Sequence, residues 1–189
     1  MAKPADKKLN TVRINAGTWR SRLIKFPDAE GLRPTPERVR QTVFNWLGQD
    51  LTGLTCLDLF SGTGVMGFEA LSRGAVSATL VEKSIPAYKA LLENKALLNA
   101  EHAQILHQDA LHFLVQNKLR FNLIFLDPPY HQAWLQKVLP LLAEHLHAEG
   151  LIYVEAEFAI DSNQVFAKDW QVIKQSKAGN VFYHLLKFS

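Results

Sequence analysis

The stretch Thr55-Cys56-Leu57-Asp58-Leu59-Phe60-Ser61-Gly62-Thr63-Gly64-Val65-Met66-Gly67 decides the fold. Its first six residues make a largely apolar run of strand length, interrupted by Asp58. Gly62, Gly64 and Gly67 then satisfy G-x-G-x-x-G, the spacing of a tight strand-to-helix turn that brings backbone close to a ligand. Outward from this point the same pattern repeats. Runs of strand length occupy residues 78–82, 104–108, 123–127 and 151–156, with helical patterns between them near 66–73, 85–99, 110–117 and 132–147. Continuously apolar strands separated by helices predict a parallel sheet covered on both faces. The end differs, because residues 170–177 and 181–188 alternate around Ala178-Gly179-Asn180, a hairpin signal. The expectation is a doubly wound, Rossmann-like α/β sheet over residues 51–189 whose last strands run antiparallel.

Before this domain the chain is of another character. Residues 1–10 are polar and predict a disordered tail. Residues 11–50 predict a small extension: two short strands near 12–14 and 19–24, a stiff segment Gly31-Leu32-Arg33-Pro34-Thr35-Pro36, and a helix to Leu47. Thr35 is placed to cap that helix, Pro36 to occupy its first turn and Gly48 to stop it. The net charge of +3 is unevenly spread: residues 1–40 carry ten bases against four acids, and the remainder eleven against fourteen. A basic arm on a mildly acidic body points to a polyanionic partner, with Arg13, Arg20, Arg22, Arg33, Arg38 and Arg40 as phosphate contacts.

Composition excludes several classes. The 189 residues are 48% hydrophobic and 21% charged, which fits one globular domain. No apolar run approaches the roughly 18 residues of a membrane span, and none follows the first lysines to make a secretory signal. Cys56 is the single cysteine, so no intramolecular disulfide can form. A cytoplasmic protein without a membrane partner is expected, with a monomer as the default assembly. The seven histidines show no ligand spacing, and His145 and His147 fall on different faces of one helical pattern, so no metal is expected.

Ligands of such sheets bind beyond the carboxyl ends of the strands. Glu82 falls at the end of the second strand, 20 residues after Gly62, where it can accept from both hydroxyls of a ribose. That alone suits NAD. Asp58 argues otherwise, because a carboxylate just before the glycine loop repels a pyrophosphate and favours a ligand bearing an ammonium and a sulfonium. S-adenosylmethionine has that character. Asp109, after the third strand, can receive the adenine amino group. Asp58, Glu82 and Asp109, one at each of three strand ends, are therefore candidate cofactor residues with Gly62 and Gly64 of the loop, and their neighbours Ser61, Lys83 and Ala110 complete the candidate set.

The fourth strand ends in Asp127-Pro128-Pro129-Tyr130. Two prolines stiffen the turn and remove two N–H donors, leaving a carboxylate and carbonyl acceptors beside a flat ring. An exocyclic aromatic amine needs such a place: acceptors for its two hydrogens and a surface on which its base can stack. Asp127, Pro128, Pro129 and Tyr130 are the candidate catalytic residues.

Several blocks together resemble one family. They are Arg13-Ile14-Asn15-Ala16-Gly17-Thr18-Trp19-Arg20, Leu32-Arg33-Pro34-Thr35-Pro36-Glu37-Arg38-Val39-Arg40, Phe44-Asn45-Trp46-Leu47, the loop from Asp58 to Gly67, Glu69-Ala70-Leu71-Ser72-Arg73-Gly74-Ala75, and the turn from Asp127 to Tyr130. From about residue 11 onward the chain is similar to the RsmD family of bacterial methyltransferases, which modify the exocyclic N2 of a guanine in small-subunit (16S) ribosomal RNA. The resemblance implies a class I methyltransferase fold, S-adenosylmethionine as donor, and ribosomal RNA within the small subunit as partner. The chain departs from the family at Asn15, where an aliphatic residue is expected, and at Ser21, where glycine is expected. Competing expectations are an adenine-N6 methyltransferase, an NAD-dependent oxidoreductase and a non-catalytic RNA-binding module.

Overall fold

The computed structural model describes residues 9–161 and 163–189. The expected disordered tail lies outside the described residues as far as residue 8, whereas Leu9 and Asn10 already belong to a strand. β1 (Leu9–Arg13) and β2 (Leu23–Pro27) form an antiparallel hairpin, followed by α1 (Glu37–Leu47). Then come β3 (Thr55–Asp58), α2 (Val65–Ser72), β4 (Ser77–Glu82), α3 (Ile85–Leu98), β5 (Ala103–His107), α4 (Ala110–Gln116), β6 (Phe121–Leu126) and α5 (Trp134–Val138). A 3-10 helix (Leu139–His145), β7 (Leu146–Ala156), a short 3-10 turn (Val165–Ala167), β8 (Trp170–Ala178) and β9 (Val181–Phe188) complete the chain. Among the described residues no helix is long and apolar enough to cross a membrane.

The seven-stranded sheet has the order β5-β4-β3-β6-β7-β9-β8. The strands from β5 to β7 are parallel, and β9 runs antiparallel to both its neighbours. The strand order reverses between β3 and β6, so a crevice opens there at the carboxyl ends. One apolar core joins the sheet to α1, α2, α3 and the hairpin through Ile14, Ile24, Val43, Phe44, Phe68, Leu80 and Leu91. A second, on the opposite face, joins it to α4, α5 and the 3-10 helix through Phe113, Ile124, Val138, Leu142 and Ile152. The hairpin and α1 therefore share a core with the sheet.

Three expectations change. The single helical pattern over 132–147 is broken: Pro140 has no N–H for an α-helical bond, and the chain continues as a 3-10 helix. β7 starts at Leu146, earlier than residue 151, and its pairing with β6 shifts register between Phe121 and Leu123. The second strand of the hairpin starts at Leu23, because residues 18–21 turn instead of extending.

That turn is held by the end of α2. The Thr18 N–H donates to the Ser72 carbonyl (2.8 Å), the Trp19 N–H to Ser72 Oγ (2.9 Å), and the Ser72 hydroxyl to the Ala16 carbonyl (2.5 Å). Gly17, at φ +81°, sits so close that a Cβ would lie 1.7 Å from the Ser72 carbonyl oxygen. Only glycine fits. Ser21 has φ +69°, the left-handed region that favours glycine, and both polar side-chain atoms of Asn15 are buried without a hydrogen-bond partner among the described residues. At both positions, then, the backbone or the packing suits the residue that the resemblance leads one to expect better than the residue present.

The fully buried Glu69 carboxylate ties these parts together. It accepts from the backbone N–H groups of Asn15 (2.8 Å) and Ala16 (3.0 Å), from Arg40 Nη1 (3.0 Å), and from Arg73 Nε (3.0 Å) and Nη2 (2.9 Å). Glu69→Ala leaves two guanidinium groups and two backbone N–H groups without this acceptor, so a loss of about 3–5 kcal/mol is expected in urea unfolding. Ser21→Gly relieves the strained φ and is expected to raise stability by up to about 1 kcal/mol in the same measurement.

Candidate active site

β3 ends at Asp58, whose side chain is buried; its Oδ2 accepts from the Gly67 N–H (3.1 Å) at the start of α2. The loop between them is closed by the Ser61 hydroxyl donating to the Asp58 carbonyl (2.7 Å) and the Gly64 N–H donating to the Ser61 carbonyl (2.7 Å). Gly64, at φ +77°, begins the helix in a left-handed conformation, and a Cβ there would meet Leu91 Cδ2 at 2.4 Å. At Gly67 a Cβ would lie 2.9 Å from Leu80 Cγ, so this glycine lets α2 approach β4. Leu32, from the segment before α1, lies over the loop, 3.1 Å from the Cβ position of Gly62.

At the end of β4, Glu82 accepts from the Gly62 N–H through Oε2 (2.8 Å) and from the Ser84 N–H through Oε1 (2.6 Å). Two backbone donors therefore fix this carboxylate, and its remaining acceptor capacity suits a vicinal diol. Asp109 follows β5 and caps α4, accepting from the Leu111 N–H (3.0 Å) and the His112 N–H (3.3 Å). Its Oδ2 is 3.1 Å from Lys83 Nζ, and these donors hold it below its ordinary range despite partial burial. Asp109 and Lys83 are thus engaged with each other, and Ala110 is the buried first residue of α4. The Ser61 hydroxyl likewise turns inward.

The acceptor turn follows β6. Leu126 pairs with Val154 of β7, and Asp58 with Phe125, so Asp58, Asp127 and Glu155 share one face of the sheet by alternation. Pro128 is buried, Pro129 exposed and Tyr130 about one-third exposed (36%). After it, His131 (φ +60°) and Ala133 (φ +51°) take left-handed conformations, while the His131 N–H and Nδ1 meet Glu157 at 3.0 and 2.8 Å. Glu155 escapes the sequence reading. It is buried, and its Oε1 accepts from the Thr35 hydroxyl and the Tyr153 hydroxyl, both at 2.8 Å. The available signal is an acid inside the apolar run 151–156. Thr35 consequently provides no side-chain cap to α1, which starts after Pro36.

These carboxylates lift one another. Burial pushes Asp58 up to about 7; the Gly67 N–H opposes this, while Glu82 and Glu155 add to it. Burial, then Glu155 and Asp58, hold Asp127 well above the ordinary carboxylate range. No ion pair among the described residues involves Asp58, Asp127 or Glu155. Such a site repels a pyrophosphate and fits a cationic ligand, as S-adenosylmethionine requires. Cys56, behind it in β3, is buried and its thiol is pushed up to about 12, the behaviour of a small packed hydrophobe.

The candidate phosphate contacts divide. Arg13, Arg20, Arg33 and Arg38 are exposed. Arg22 is exposed but donates through Nη2 to the Leu97 carbonyl (2.7 Å) near the end of α3. Arg40 does not belong with them: it is 1% exposed, donates through Nε to the Thr35 carbonyl (3.1 Å) and pairs with Glu69. Burial beside a carboxylate makes it a structural cation.

A family profile described as Conserved hypothetical protein 95 matches residues 12–187. The Ribosomal RNA small subunit methyltransferase D of Escherichia coli (strain K12) is 40% identical over 187 residues, covering 98% of this chain and 94% of that protein. Its Haemophilus influenzae namesake is 40% identical over 180 residues, 92% of each. The solved structure of Escherichia coli yhhF superposes with TM-score 0.85 at 39% identity, over 95% of this chain and 98% of that one. A Thermus thermophilus 16S rRNA N2 G1207 methyltransferase, solved with AdoMet and guanosine, shares the fold with TM-score 0.73 at 18% identity, over 96% of this chain and 50% of its own.

The acid cluster gives a pH dependence. A carboxyl raised from 3.8 to about 7 contributes stability that is complete below pH 4 and is lost as pH rises through 7. For Asp58 the loss is roughly 4 kcal/mol at most. The melting temperature of the ligand-free protein is expected to fall over this interval, and Asp58→Asn to flatten the fall; an unchanged slope counts against the assignment.

Proposed function

Since the chain belongs to the Conserved hypothetical protein 95 family and is a relative of the small-subunit ribosomal RNA methyltransferases D, we propose that it transfers a methyl group from S-adenosylmethionine to the exocyclic N2 of a guanine in small-subunit (16S) ribosomal RNA. The observation that carries this reading is the acceptor turn Asp127–Tyr130 set across the sheet's switch point from Asp58. Glu82, fixed by two N–H groups, holds the ribose diol. Asp58 and the backbone of the glycine loop face the cationic amino-acid portion, with Lys83, Asp109 and Ala110 at the adenine end.

S-adenosylmethionine supplies an electrophilic methyl group on a positively charged sulfur. The chain's own part begins with the amine. A guanine N2 is a poor nucleophile, because its lone pair is delocalised into the ring. Asp127 and the Pro128 carbonyl accept from its two hydrogens and favour the pyramidal geometry that frees the lone pair. Positive charge then arrives on nitrogen opposite acceptors already in place, which is preorganised electrostatic stabilisation. Tyr130 gives the base a stacking surface once it has left its helix. Asp127 or water takes the proton afterwards.

The exposed Arg13, Arg20, Arg33 and Arg38, with Arg22 beside them, grip phosphates and position the RNA without reading its sequence. Residues 11–50 serve as the RNA-contacting extension and residues 51–189 as the transfer domain. An adenine-N6 acceptor can use the same turn, so product identity separates the two substrates.

The test is methyl transfer from labelled S-adenosylmethionine to small ribosomal subunits lacking guanine-N2 methylation, followed by nucleoside analysis. Label in N2-methylguanosine is expected; label in N6-methyladenosine overturns the substrate assignment. Asp127→Ala is expected to lower transfer about 10²–10³-fold while donor binding stays within a few-fold.

A further inference from the structure

Glu155 is a buried acid without a cationic partner among the described residues. Burying an unpaired carboxylate costs stability, so packing alone does not account for it. Its position is specific. Leu126 and Val154 are register partners on adjacent parallel strands, and the next residues are Asp127 and Glu155. Two hydroxyls converge on Glu155 Oε1 at 2.8 Å, one from Thr35 in the segment before α1 and one from Tyr153 on β7. Burial raises Glu155 above its ordinary range, and the two hydroxyl donors oppose that rise, because they favour the ionised carboxylate, which only accepts. The other groups facing this pair are Asp58 from β3, Tyr130 from the loop after β6, and Tyr183, the β9 register partner of Glu155. All are acidic or phenolic.

We propose that Glu155 is a positioning residue for methyl transfer that acts through Asp127, its fixed negative charge deciding when Asp127 gives up its proton. This rests on the methyltransferase reading above. In the ligand-free protein the charge sits on Glu155 and the proton on Asp127, where burial, Glu155 and Asp58 hold it well above the ordinary range. A cationic ligand beside Asp58 offsets the negative charge, and the proton leaves Asp127 for solvent. Asp127 is then an anionic acceptor for the amine hydrogens. When the methylated nitrogen sheds its proton, Asp127 takes it and the pair returns to its starting state. The amine acceptor is thereby armed only with the donor in place.

The decisive measurement needs neither RNA nor donor. Carboxyl titration of the free protein between about pH 4 and 9, by carbon-13 NMR, compares wild type with Glu155→Gln. The substitution keeps an oxygen for both hydroxyls and removes the charge, so the Asp127 midpoint is expected to fall by about one pH unit or more. An unchanged midpoint overturns the proposal. Should Glu155→Gln fail to fold, Tyr153→Phe weakens the charge on Glu155 and is expected to shift Asp127 in the same direction by less; no shift there overturns it equally. On binding S-adenosylmethionine at pH 7, wild type is expected to release more protons than Glu155→Gln, read from heats in buffers of different ionisation enthalpy; equal release overturns the proposal. The acid limb of the transfer rate should move to lower pH in Glu155→Gln, whereas a uniform loss at every pH marks a structural role and overturns the proposal. A shifted titration with no methylation of any ribosomal substrate supports the carboxyl pair and sinks the functional reading instead.

Discussion

The Glu69 carboxylate is the constraint on which the two halves of the molecule depend. It sits in the middle of α2, the helix that leaves the glycine loop, and it is wholly buried. A lone charge there is untenable, and the chain supplies its partners from three other places: the hairpin turn, α1 and the end of α2. These partners are directional, so they set position as well as neutralise charge. Arg73, which also lies 4.3 Å over the Phe44 ring, joins this network to the apolar core. The basic extension is thereby locked to the helix that shapes the cofactor loop.

From that docking follows the geometry of the crevice. The segment between β2 and α1 runs from Leu32, against Gly62, to Thr35, against Glu155. One short, proline-stiffened stretch thus touches both the cofactor loop and the acid behind the acceptor turn. Its backbone is held at the far end by Arg40, which donates to the Thr35 carbonyl while pairing with Glu69.

Acidic surroundings give the crevice its chemical character. Asp58, Asp127 and Glu155 come from three adjacent strands and carry no ion pair among the described residues. In a low-dielectric place such groups raise one another and wait for positive charge. A methyl donor that is a cation, and an amine that becomes one, both meet that demand. The same surroundings exclude a pyrophosphate, although the glycine spacing alone admits it.

The sequence by itself determined the α/β order, the antiparallel end, the glycine loop, and the placement of Glu82 and of Asp127–Tyr130 at the ends of strands. Each of these is written in local signals: apolar periodicity, glycine and proline placement, and acids at strand ends. Three-dimensional contact decided the rest. Arg40 lies three and four positions before Val43 and Phe44 and so shares their buried face, but periodicity does not say that its partner there is Glu69. Thr35 has the sequence of a helix cap, yet its hydroxyl goes to Glu155, 120 residues away. Pairings of that kind depend on which strands become neighbours and which faces they share. Spacing along the chain carries no distance between β7 and the hairpin side, so the tertiary structure alone could bring Glu155 to Asp127 and Glu69 to Arg40.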